Sequence, residues 1–184
     1  TFVAIIILFL SYLSIPHAYN KVEIQKELQN QLFEKFGLNF NFTQNFEYDF
    51  YPRPHFIVEE SSILEKELNI SDVKKLSIYV SLSNLLSLKN ITIKDVILEN
   101  ANFNLNKKNS DFFLKILDNN FLQSKFIIKN SNVFFKNNDE DVLFVNKIID
   151  MKYYHDTKEL KNLLNFNNEI FNIPYFLTSN KDKK

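Results

Sequence analysis

A chain of 184 residues with 22 Lys+Arg against 22 Asp+Glu carries no formal charge, which excludes the basic surplus that nucleic-acid binding requires. The absence of Cys excludes a disulfide scaffold, a cysteine metal site and a thiol nucleophile. With 20 Phe, 8 Tyr and 45% hydrophobic residues there is ample apolar surface to bury, which excludes disorder.

The first element is "FVAIIILFLSYLSI", Phe2 to Ile15, an uncharged run shorter than the roughly 20 residues that cross a bilayer core. The chain opens inside this run and stops at "SNKDKK" without a closing element, so it reads as a fragment. Residues 1–18 are therefore expected to be a truncated membrane anchor, with Pro16 ending the helix and Tyr12 and Tyr19 at headgroup level. A cleaved signal peptide is the competing reading, disfavoured by Pro16 and the lack of a small-x-small pair; a buried core segment is the third.

Residues 19–37 contain an amphipathic helix: Ile24, Leu28, Gln31/Leu32 and Lys35/Phe36 recur at helical spacing, Asn20 can cap it, and the single Gly, Gly37, follows it. From Leu38 the period becomes two. Leu38, Phe40 and Phe42, then Phe46, Tyr48 and Phe50, predict two strands or one long bent strand. "YPRPHF" is an extended corner, because neither Pro can donate to a ladder. Leu76, Ile78, Val80 and Leu82 form the next strand face, "SNLLSL" a turn, and Ile91, Ile93, Ile97, Ala101, Phe103 and Leu105 a further face. Asp95 and Glu99 interrupt it and predict a bulge or change of strand there.

"ILENANFNL" at 97–105 lies over "IIKNSNVFF" at 127–135, a shift of 30 residues, and "SDFFLKILDNN" between them predicts a short helix capped by Ser110. "VLFVNKIIDMKYY" adds a strand, and "ELKNLLNFNNEIFNIPYFL" one or two more. The fold class is mainly β with few helices (α+β): a curved, largely antiparallel sheet built from repeats over 38–184.

The order of these features resembles the N-terminal region of the AsmA family of bacterial envelope proteins. The resemblance rests on "FYPRPHFIVEESSIL", on "LSIYVSLSNLLSLKNITIKDVILENANFNL", and on "FIIKNSNVFF" and "NIPYFL", and it covers about residues 2–176. The family often has Gly in turns and before late strands where this chain has Asn130 and Asn167; Asn is the non-Gly residue best suited to left-handed backbone. The resemblance implies a single-pass inner-membrane protein whose main domain lies in the periplasm. It also implies kinship with chorein-type bridge proteins, whose apolar groove conducts phospholipid in outer-membrane biogenesis. Its partners would be membrane phospholipids and other envelope proteins, with no cofactor, metal, catalytic residue or small-molecule substrate.

The mechanism expected from the residues is passive. Two helices look too few to cover so many strands, so the residues proposed to line an open lipid groove are Leu76, Ile78, Val80, Leu82, Ile91, Ile93, Ile97, Phe103 and Leu105. Each buried CH₂ would contribute about 0.8 kcal/mol, and seven or eight strands would span roughly 35 Å. A membrane-tethered scaffold that moves no lipid is the alternative. An enzyme is the third class: His17, His55 and His155 lack metal-like spacing, while "EES" at 59–61 and "DED" at 139–141 are poor acid/base pairs because adjacent strand residues point to opposite faces.

Overall fold

The computed structural model describes residues 2–43, 45–65, 67–118, 124–156 and 161–182. Residues 119–120 of the short predicted helix and 159–160 of the late apolar stretch lie outside them. Helix α1 (Phe2–Ser14) runs through a 3-10 turn into α2 (Lys21–Phe36), and the two meet at 90°. Asn20 caps α2 by accepting from the Val22 and Glu23 amides, and Gly37 closes it at φ 68°, where a Cβ would be strained.

The remaining described residues build one open, curved sheet of nine strands. These are β1 (Asn39–Asn41), β2 (Phe46–Asp49), β3 (His55–Glu65), β4 (Leu68–Val80), β5 (Ile93–Leu105), β6 (Lys125–Lys136), β7 (Val142–Asp156), β8 (Lys161–Ile170) and β9 (Ile173–Asp182). From β3 onward they pair in chain order, while β1 and β2 pair end to end along β3 as one interrupted edge strand. Every pairing is antiparallel except β5 with β6, which is parallel. Antiparallel neighbours need only a hairpin, whereas this pair needs a crossover, and α3 (Phe112–Asp118) lies within it.

The parallel pair explains the internal repeat. Asp95 faces Lys125 and Leu105 faces Phe135, so the two copies are adjacent strands offset by the repeat length itself. The sequence is used twice because the two strands meet the same surroundings side by side.

A crease crosses the sheet at one level. The positive-φ residues Glu60 (57°), Asn100 (55°) and Asn130 (47°) share it, and buried side chains step by three there: Val58 to Ser61, Val73 to Leu76, Leu98 to Ala101, Ile128 to Ser131 and Ile148 to Met151. Interruptions of this kind bend a strand and sharpen its twist. Ser131 repairs the ladder inside the crease: its hydroxyl accepts from the Ala101 amide at 2.9 Å and donates to the Lys129 carbonyl at 2.7 Å. Asn130 thus takes the left-handed backbone expected of a Gly substitute, whereas Asn167 is not among the positive-φ residues.

The helices lie on one face. The buried side of α2 is Ile24, Leu28, Leu32 and Phe36. Polar ties fix it at both ends of its crossing: Gln29 donates to the Phe40 carbonyl at 2.8 Å, and Lys35 to that of Ile93 at 2.6 Å. It therefore spans from β1 to β5. Helix α3 adds Phe112 and Ile116, with Phe103 5.9 Å from Phe112 and 5.2 Å from Phe113 between ring centres. The turn into α3 is organised by Asn109, which accepts from the Asn106 amide at 2.7 Å and donates to the Asn104 carbonyl at 3.0 Å; among the described residues no side-chain hydrogen bond of Ser110 is seen.

Candidate apolar groove

The helix-bearing face carries one unbroken apolar row across the sheet, although the buried polar side chains of Ser131, Asn146 and Asn168 share that face. Cross-strand partners build the row Val58, Leu76, Leu98, Ile128, Met151, Phe166 and Leu177, running from β3 to β9. What changes along it is cover. Leu76 is 0% exposed and Met151 1%, Phe166 is half-buried, and Leu177 is 44% exposed.

This distribution corrects the expected groove. Leu76, Ile78, Val80, Ile91 and Ile93 are buried where α2 crosses, and Phe103 and Leu105 are buried in the same core where α3 packs. The reason is orientation. A helix of 16 residues is about 24 Å long. Laid across strands about 4.8 Å apart, it covers four or five of them. Leu82 is exposed, but it sits in a 3-10 turn beyond the end of β4. Ile97 lies on the opposite face between Ser77 and Ile127, because steps of three on either side of it (Ile93 to Val96, Leu98 to Ala101) change the phase of β5 twice.

The uncovered part is the end of the sheet. Ile173, Tyr175 and Leu177 of β9 share the helix-bearing face and continue the surface of Leu164, Phe166 and Ile170 of β8. Tyr175 donates to Asn146 Oδ1 at 3.2 Å, and burial of its ring pushes the phenol pKa up, partly offset by the Asn146 bond. Phe135 stacks on Phe144 at 4.4 Å toward the same end of the strands as Ile173. The sequence does not single out this face, because Ile173 to Leu177 read as a continuous apolar run, IPYFL, and nothing local marks an uncovered strand.

The three histidines have structural partners. His55 Nδ1 lies 2.8 Å from the Arg53 carbonyl and its ring stacks on Tyr79 at 4.8 Å. His17 meets Tyr48 edge-on at 4.9 Å, and His155 Nδ1 lies 2.9 Å from Asn162 Oδ1. Glu59 and Glu60 are solvent-exposed at the crease, and Asp139, Glu140 and Asp141 form the turn between β6 and β7. Among the described residues no group of three or more His, Asp and Glu side chains is placed to hold a metal ion. A cavity of about 650 Å³ between α2 and residues 84–92 is lined by Glu27, Glu34, Lys35 and Lys89 and is too polar for acyl chains.

Helix α1 is a second apolar surface. Residues 2–11 are exposed and the contacts with the body come from its last turn. Tyr12 donates to the Leu82 carbonyl and accepts from the Leu85 amide, Tyr48 donates to the Leu13 carbonyl at 2.8 Å, and Tyr19 donates to the Leu85 carbonyl. Among the described residues no single helix is long and apolar enough to cross a membrane; α1 with α2 passes only as a bent pair. Comparison with known protein families finds no matching family model, and comparison with curated proteins finds no match.

Proposed function

We propose that the protein is an AsmA-like component of the bacterial envelope, held in the inner membrane by α1, with its sheet in the periplasm holding or conducting phospholipid. The lipid-bearing surface in this reading is the uncovered floor of β8 and β9, not the β4–β5 face. The observation that carries it is the single apolar row whose protein cover ends between Met151 and Leu177. Acyl chains laid on that floor would take the place that α2 and α3 occupy further along, at about 0.8 kcal/mol per CH₂ removed from water. Retention of α1 is supported by its last turn. Cleavage near Pro16 would remove the buried Leu13 and the Tyr12 hydroxyl, both built into the body.

Membrane-tethered scaffolding is the second reading, favoured by the edge of β9. Among the described residues that ten-residue strand has a neighbour on one side only, and an unpaired edge is a template for a strand from another protein.

Photo-crosslinking in intact membranes separates the two readings. A photoreactive residue at Leu177 or Tyr175 is expected to capture phospholipid, while one at Phe176, on the other face of the same strand, is not. Equal capture on both faces, or protein adducts alone, would overturn the lipid reading.

A further inference from the structure

The end of the sheet from which α1 leaves carries exposed apolar side chains that belong neither to the core nor to the β8–β9 floor. Two segments present them. The corner between β2 and β3 holds out Tyr51, 77% exposed, next to Phe50. The segment between β4 and β5 holds out Leu86, 73% exposed, and Leu82.

Both segments are fixed in place rather than loosely looped. Arg53 reaches from the corner to Asp95 at 3.0 Å and lies 4.5 Å over the Tyr79 ring, and the Pro54 carbonyl accepts from the Val80 amide at 3.0 Å. The second segment is tied through the Leu82 and Leu85 backbone to Tyr12 and Tyr19, and Leu85 itself is fully buried. Its neighbour Leu86 is therefore held outward by a rigid base. Tyr12 lies in the last turn of α1 and Tyr48 donates to its Leu13 carbonyl, so the two segments flank the point where the uncharged, mostly apolar helix leaves the body.

We infer that the 50–53 corner and the 82–89 segment form a collar that seats in the headgroup layer of a phospholipid bilayer around the base of α1, setting the sheet end-on to the membrane. The inference rests on the reading of α1 as membrane-inserted. Its chemistry fits that layer: an exposed tyrosine and leucines beside Lys89 and the Asp95-paired Arg53, the mixture of amphipathic ring, apolar tip and polar group found at headgroup level. A partner protein would need its own apolar pocket at the same height; the bilayer that receives α1 is there already. End-on seating also leaves the crease and the β8–β9 floor clear of the membrane.

The chain has no Cys, so single labels are simple to introduce. The full chain is reconstituted into vesicles of phosphatidylethanolamine and phosphatidylglycerol with an environment-sensitive fluorophore on Tyr51→Cys, Leu86→Cys, Leu8→Cys or Asp139→Cys. All four side chains are exposed, so none of these changes disturbs packing. Labels at 51, 86 and 8 are expected to shift to the blue and lose emission to nitroxide-bearing lipid, while the label at 139, in the turn at the far end of the strands, stays water-like. Quenching at 8 with water-like emission at 51 and 86 would overturn the collar and leave the anchor standing. Absence of quenching at 8 would overturn both.

Discussion

Leu76→Ala and Leu177→Ala remove the same atoms from two ends of one apolar row, so their costs report on cover alone. Truncating Leu to Ala deletes three carbons, about 2.4 kcal/mol of transfer free energy at 0.8 per CH₂. Leu76 is fully buried, and a cavity term adds to that figure, giving about 3–4 kcal/mol. Leu177 is 44% exposed, so little more than half of the transfer energy is at stake, about 1.3 kcal/mol, and water or lipid fills the space left behind. A domain of this size loses about 2–4 °C in Tm per kcal/mol. Expected losses are thus roughly 10 °C for Leu76→Ala and roughly 4 °C for Leu177→Ala. Thermal unfolding of the full chain in detergent micelles, followed by near-ultraviolet tyrosine dichroism, measures both. Equal losses would refute the contrast between a sealed and an open half on which the placement of the groove depends.

At Asn130, where φ is 47°, Asn130→Ala is expected to lower stability by about 1 kcal/mol and Asn130→Gly to be neutral or stabilising, as read from urea unfolding. A larger cost for Gly than for Ala would show that the Asn side chain, not its backbone, holds the crease. Burial, with smaller contributions from Asp49, Tyr12 and Tyr19, pushes the Tyr48 phenol from 10.0 up to about 12. The folded state therefore keeps a proton that the unfolded chain releases, and the stabilisation is complete below pH 10 and lost as pH rises toward about 12. Tyr48→Phe, which also removes the bond to the Leu13 carbonyl, is expected to flatten that decline in pH-dependent urea unfolding.

Much of the architecture was legible locally. Helix α2 was marked by its stripe of Ile24, Leu28, Leu32 and Phe36 between an Asn cap and the single Gly, signals that need no tertiary context. The two-residue period marked the strands, and the 30-residue repeat marked two strands that prove to be parallel neighbours. The face of Ile97 was hidden, because its even spacing from Ile93 and Ala101 puts it on their face, whereas the chain steps by three on both sides of it. Asp95 and Glu99 signalled the irregularity without telling which way the phase would turn.

Residue order alone settled that this chain is a one-sided, mainly β surface with an uncharged apolar helix ahead of it, since periodicity and charge are properties of neighbours along the chain. It could not settle which apolar residues stay open. That depended on the direction in which α2 lies: along the strands it would have sheltered one or two, but across them it seals β1 to β5. Leu76 and Leu177 look alike in the sequence and differ only in whether a helix distant in the chain reaches them, which is a fact of packing.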